Sequence, residues 1–191
     1  MLKNKAYKFR IYPNQKQMEL IEKTFGCTRF VFNYFLEQSI NSYKEEKKKM
    51  RYKDYASMLV ELKKEKEFLK EVDSISLQQS LRHLDAAYSN FFKIKETRFP
   101  KFKSKKNDKS YTTVTVNNNI KIEDKYIILP KLGKVRIKKH RLINQEEIIK
   151  SVVVSKVSNK YYVSLVVTYE AKEIVCSKTE SVIGLDYSMD K

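Results

Sequence analysis

Glycine and proline are scarce in this chain, three of each in 191 residues. So few left-handed or fixed-φ positions leave no Gly-rich phosphate loop and no dinucleotide-binding turn. Cysteine is scarcer still. Cys27 and Cys176 lie far apart and form neither a disulfide framework nor a C-x-x-C knuckle, so both read as small core or surface residues. The two histidines, His83 and His140, have no metal-ligand spacing to each other or to cysteine. His83 falls among polar helical neighbours, and His140 in a basic hairpin where it has phosphate in reach. No Ser-His-Asp or Cys-His set can be assembled, and no repeat of solenoid period is visible. Long apolar runs are missing as well. The longest, Y-Y-V-S-L-V-V-T-Y, is too short to cross a bilayer, and the opening M-L-K-N-K-A-Y-K-F-R has no signal-peptide core. A cytoplasmic protein without a membrane partner is expected.

Acid is the other deficit: 23 Asp and Glu stand against 40 Lys and Arg, a formal charge of +17. Such a bias repels itself and is tolerated where the partner is a polyanion, which makes nucleic acid the leading partner class. The 41% apolar content is enough for one substantial core or two small ones.

The start alternates, with Tyr7, Phe9 and Ile11 on one side and Lys8 and Arg10 on the other, as a half-buried strand does. Pro13 ends it. Asn14 then occupies an N-cap position with Gln17 as its capping-box partner, and Met18, Ile21 and Phe25 follow at helical spacing. Gly26 is placed to break or pinch this helix, and Phe30, Tyr34 and Phe35 anchor a second amphipathic stretch, so that the pair would look like a helix-turn-helix. From Tyr55 to Phe92 the pattern is helical in two pieces, parted near Glu71 to Ser74, with Asp73 or Ser74 as the second cap. Leu77, Leu81, Leu84, Ala87 or Tyr88, and Phe91 form its core stripe.

Residues 93–109 carry eight basic and two acidic side chains around Pro100, which predicts a basic linker. Beyond it the period becomes two: T-V-T-V, K-Y-I-I-L, K-V-R-I, I-K-S-V-V-V-S-K-V and Y-Y-V-S-L-V-V-T-Y, the last pair joined by S-N-K. Strand, helices, then more strands predict a small antiparallel barrel with helices inserted and the first strand paired to later ones.

Three basic runs, residues 44–53, 93–109 and 131–141, fall at a helical loop, the linker and a hairpin. A Lys-rich run is often only a solvated face. Tyr52, Phe99 and Phe102 interleave two of them, and cations with rings neutralise phosphates and stack bases together, although the two Phe could equally anchor the linker. Lys101, Lys103, Lys105 and Lys106 are the linker's candidate phosphate contacts. Near the end, V-I-G-L-D-Y places Asp186 just after a short apolar strand. That pattern fits a plain strand ending in a turn. It also fits the first carboxylate of an RNase H-like site, where hard oxygen ligands bridge two Mg²⁺ ions.

Six blocks in order, K-A-Y-K-F-R-I-Y-P-N, T-R-F-V-F-N-Y-F-L, E-V-D-S-I-S-L-Q-Q-S-L, R-F-P-K-F-K-S-K-K, N-N-N-I-K-I with L-P-K-L-G-K-V, and V-I-G-L-D-Y-S-M, resemble the transposon-encoded TnpB (OrfB) family. These are RNA-guided DNA nucleases related to type V CRISPR effectors, and the likeness covers nearly the whole chain. The resemblance implies an α+β fold: a wedge-type antiparallel β-barrel at residues 1–12 and 107–179, a helical recognition domain at 13–106, and the first strand of an incomplete RuvC domain at 180–191. It implies that Asp186 is the first of three RuvC carboxylates for Mg²⁺, with the others further downstream. It implies a transposon-end guide RNA and a target DNA with an adjacent motif as partners. Tyr52, Gln78 and Asn117 match positions that read this motif, and a Gln amide or a Tyr ring is able to meet a base edge or face. The neighbouring Ser74, Ile75 and Val116 depart from the Lys, Phe and Thr of a relative. Two other readings stand beside this one: an inactive DNA-binding regulator of helix-turn-helix type, and a basic RNA-binding protein such as a ribosomal factor, which accounts for the charge but not for G-L-D.

Overall fold

The structure, a computed structural model, describes residues 1–171 except 48, 107, 108 and 145. Asp186, Cys176 and the strand expected at 180–191 lie outside the described residues.

Strand β1 (Leu2–Tyr12) buries Tyr7, Phe9 and Ile11 and turns Lys8, Arg10 and Tyr12 outward, following its alternation. Pro13 cannot donate to a ladder and ends it. The expected capping box then starts helix α1 (Gln15–Glu46): Gln17 donates its backbone N–H to Asn14 Oδ1 at 2.9 Å, and Asn14 N–H donates to Gln17 Oε1 at 3.0 Å. The Gln17 amide donates in turn to the carbonyls of Leu132 and Lys134, fixing the helix start to a distant hairpin.

No break occurs at Gly26. Helix α1 runs unbroken for 32 residues. A mid-helix glycine costs only about 1 kcal/mol, and apolar side chains on both sides of it are buried, so packing prevails. What changes at Gly26 is the partner. Ile21 and Phe25 belong to the core of the sheet, whereas Cys27, Val31, Phe32 and Phe35 belong to a second core among the helices. Leu20 packs against both.

Helix α2 (Tyr52–Glu65), a 3-10 turn (Glu67–Lys70) and helix α3 (Ser74–Lys93) complete the helical layer. Asp73 caps α3, accepting from the N–H groups of Ile75 and Ser76. The stripe Leu77, Leu81 and Leu84 is fully buried against α1, and Ser80 donates to the Thr28 carbonyl at 2.7 Å across that contact. Its continuation, Tyr88 and Phe91, lines a cavity, with Tyr88 still packed against the helical core.

Strands β2 (Ser110–Val114), β3 (Lys121–Glu123), β4 (Tyr126–Leu129), β5 (Gly133–Lys138), β6 (Ile148–Val157) and β7 (Lys160–Glu170) join β1 in one antiparallel sheet, ordered β2-β6-β7-β1-β5-β4-β3. The first strand does pair with later ones, β7 on one side and β5 on the other. Ser158 and Asn159 take left-handed φ in the S-N-K turn, the requirement of a tight hairpin. Tyr111 of β2 and Leu129 of β4, near opposite ends of the strand order, share one core, so the sheet curls. Among the described residues it forms a half-barrel, with β2 and β3 at the ends of the strand order, and α1 lays Ile21 and Phe25 into the concave side.

Candidate nucleic-acid interface

The convex face of the sheet gathers charge that is spread out in sequence. In the cross-strand register Arg10 of β1 stands between Tyr162 of β7 and Lys138 of β5, and Arg136 of β5 stands between Tyr12 of β1 and Tyr126 of β4. The Lys8 ammonium lies 5.0 Å from the Tyr162 ring centre, and the Arg10 guanidinium 4.9 Å from that of Tyr12. Arg10 Nε is buried without a hydrogen-bond partner. A concavity of about 580 Å³ beside this row is lined by Tyr12, Lys125, Arg136, Lys138 and Lys139. Among the described residues no carboxylate lines it. Glu123 nearby is engaged by Lys134 at 2.8 Å, whose hydrogen bond and charge hold the Glu123 carboxyl below the usual range. Clustered cations in a concave, low-dielectric wall focus a positive field, and rings among them offer stacking faces.

Two of the sequence-predicted readers share a surface on the helical layer. The Arg82 guanidinium sits 4.2 Å over the Tyr52 ring, one helical turn from exposed Gln78 on α3. Tyr52 is held at the start of α2 by its N–H donating to Asp85 Oδ1 at 3.1 Å. Asn117 lies in the turn after β2, exposed, with φ of 50°. With Asn118 also left-handed and Asn119 Oδ1 accepting from the Val116 N–H, this is a tight turn that needs Asn or Gly for backbone reasons alone.

The linker is docked on the helical layer through Lys103 and Phe99. Asn33 of α1 grips the backbone of Lys103 twice, accepting from its N–H at 2.8 Å and donating to its carbonyl at 3.0 Å. The Lys103 ammonium lies over the Phe32 ring, and its charge adds to desolvation in pushing the His83 imidazole below its ordinary range. Lys101, Lys105 and Lys106 are exposed on either side of this clamp. Phe99 packs edge-on against Tyr88 and Phe91, while Phe102 is exposed. His140 packs edge-on against Phe9. Among the described residues no group of three His, Cys, Asp or Glu is placed to hold a metal ion, and no helix is long and apolar enough to cross a membrane.

Lys8, Arg10, Tyr12, Lys125, Tyr126 and Tyr162 were not legible as site residues. Apart from Lys125, which lies in the turn between β3 and β4, their signal is the outward half of the strand alternation, which becomes a surface only once strands distant in sequence are in register.

This is a basic α+β domain with a half-barrel and a helical layer on one spine. A family model described as a helix-turn-helix domain, of the OrfB type, matches residues 1–48, which here form β1 and the unbroken α1. Two relatives carry the name "Putative RNA-guided DNA endonuclease". The one from Streptomyces pristinaespiralis is 39% identical over 58% of this chain and 28% of its own length. The other, InsQ of Escherichia coli (strain K12), is 33% identical over 100% of this chain and 47% of its own length. A virulence protein, VsdF of Salmonella dublin, is 38% identical over 53% of this chain and 93% of its own length. The chain belongs to the TnpB (OrfB) family. It spans less than half the length of the two endonuclease-named relatives.

Proposed function

We propose that this chain is the nucleic-acid-binding portion of a transposon-encoded RNA-guided DNA endonuclease, holding a guide RNA and a DNA motif adjacent to the target. The observation that carries the reading is the convex sheet face, where Arg10, Arg136, Lys138 and Lys139 lie among Tyr12, Tyr126 and Tyr162. Its charge and rings suit a phosphate backbone with accessible bases. In this reading residues 1–12 and 107–179 form the wedge unit and 13–106 the recognition unit. Guide pairing supplies sequence choice, while Tyr52, Gln78 and Asn117 read the motif. Lys101, Lys103, Lys105 and Lys106 contact backbone without specifying sequence.

Asp186 would contribute one carboxylate to a Mg²⁺ site, together with carboxylates from the rest of a RuvC domain. The ion would activate water and stabilise the leaving oxygen. In a complete protein, Asp186→Ala should abolish cutting and leave DNA binding intact.

The test is to purify the chain and sequence the RNA that accompanies it, then measure affinity for that RNA and for duplexes with varied flanking motifs. Enrichment of one structured RNA is expected. Recovery of no selected RNA, with equal affinity for every duplex, would sink the reading. The description of the family model favours a second reading, a DNA-binding regulator. A strand within the sheet followed by an unbroken helix supports it less, and binding to duplex DNA without any RNA would favour it.

A further inference from the structure

A cavity of about 450 Å³ opens where the end of α1, the start of α2 and the end of α3 meet, away from the convex sheet face. Its size is within the range of roughly 300–1,000 Å³ typical of small-molecule sites. The walls are rings: Tyr43, Tyr88, Phe91, Phe92 and Phe99. Phe99 stands edge-on to Tyr88 and Phe91, with centroids 5.6 and 5.3 Å away, which holds its plane fixed. Phe92, Tyr43 and Phe99 are 59%, 49% and 44% exposed, a large aromatic area to leave in water.

Polar groups are few and placed. The Tyr55 hydroxyl is 2.8 Å from Ser39 Oγ and reaches the Met50 carbonyl at 3.4 Å. Burial pushes the Tyr55 phenol up to about 12, so it remains a neutral hydroxyl. Lys44, Lys49 and Arg51 stand among the lining residues. The Lys49 ammonium is 4.4 Å from the centre of the Phe92 ring. Among the described residues the single carboxylate in the lining, Asp85, already accepts from the Tyr52 N–H.

Flat aromatic walls with cations beside them match one chemistry: a planar base attached to a phosphate. A purely apolar ligand would leave the three cations unexplained, and a second copy of this chain, at +17, would bring like charge to the opening. We propose that this cavity takes one unpaired base of a single-stranded nucleic acid, stacked on Phe92, with its phosphate held by Lys44, Lys49 and Arg51. The proposal rests on the nucleic-acid reading above and adds a base-specific contact outside the motif-reading residues.

The chain has no tryptophan, so Phe92→Trp would introduce a sole indole reporter at the cavity. A single-stranded oligonucleotide should quench its emission. An abasic strand of equal length and charge should bind the protein and leave that emission unchanged. Phe92→Ala should weaken single-strand binding about tenfold, the size of one base stack, with Phe92→Tyr restoring it and duplex affinity unchanged. Equal quenching by the abasic strand would overturn the base pocket in favour of a phosphate site. Quenching that grows with protein concentration and no oligonucleotide would overturn it in favour of self-association. Unchanged emission while the oligonucleotide binds would overturn the pocket alone, and loss of all binding would overturn the nucleic-acid reading with it.

Discussion

Thr113 on β2 donates its hydroxyl to Oδ2 of Asp73 at 2.7 Å, and so ties an edge of the sheet to the N-cap of α3. Both residues are buried. Tyr111, two positions before Thr113, has its phenol pushed well above the ordinary range by burial and by the Asp73 charge. Asp73→Ala should therefore remove a cap and orphan a buried hydroxyl together, a loss of roughly 2–3 kcal/mol. Thr113→Val, which leaves Asp73 its two backbone donors, should cost about 1 kcal/mol. Denaturant midpoints at constant slope would measure both: no loss in Thr113→Val would show that Asp73 acts only as a cap, and equal losses would show that its cap contributes nothing.

A second tie depends on pH. Glu22 of α1 accepts from Lys156 at 2.6 Å and from the Tyr161 hydroxyl at 3.0 Å. Partial burial pushes the Glu22 carboxyl up, but these two hydrogen bonds outweigh it and bring it below the usual range. A depressed folded pKa contributes stability above the ordinary carboxylate range and loses it as pH falls through the folded value. Lys156, raised chiefly by the Glu22 bond, gives the opposite limit, losing its contribution at strongly alkaline pH. Glu22→Gln should lower stability at neutral pH by up to about 1 kcal/mol, since both groups are partly solvated. The difference from the parent should vanish in acid. A pH-independent difference would assign the effect to packing.

Much of the fold was legible because local signals agreed with the tertiary outcome. The Asn14 and Gln17 box, the Asp73 cap and the S-N-K turn are each written in a few adjacent residues. Gly26 misled because a switch of packing partner and a break in a helix leave the same mark in sequence, a glycine between two apolar stripes. Only the two cores distinguish them. The barrel was legible as alternation but not as a half-barrel, because closure depends on whether two edge strands meet or a helix fills the mouth. Gln78 and Tyr52 were singled out by resemblance, and Arg82 between them is a matter of helical geometry. The convex-face rings needed the register of four strands.

At Asn117 a backbone explanation and a recognition explanation coincide, and substitution separates them. Asn117→Gly keeps the left-handed turn and removes the amide, whereas Asn117→Ala removes the amide and strains the turn. If the side chain reads DNA, both variants should lose motif discrimination by about 1–3 kcal/mol, roughly 5- to 150-fold. Only Ala should also lower the melting temperature. Full discrimination in the Gly variant would reduce Asn117 to a turn residue.

The two basic surfaces should differ in how they respond to salt. On the convex face Arg136, Lys138 and Lys139 line one concavity and have room for successive phosphates, whereas Lys103 in the linker is already engaged with Asn33 and Phe32. Each lost phosphate contact should reduce the slope of log affinity against log salt by about 0.7 for a single strand. Replacing Arg136, Lys138 and Lys139 with Gln should flatten that slope by about 2 for RNA, with the fold intact because all three side chains are exposed. Replacing Lys101, Lys105 and Lys106 should weaken RNA and DNA alike without altering sequence preference, since phosphate contacts position a ligand and do not specify it. Filter binding between 50 and 300 mM salt, or about that span, is the measurement. An unchanged slope after the sheet substitutions would remove the convex face from the interface, and altered motif preference after the linker substitutions would make that segment a reader of sequence.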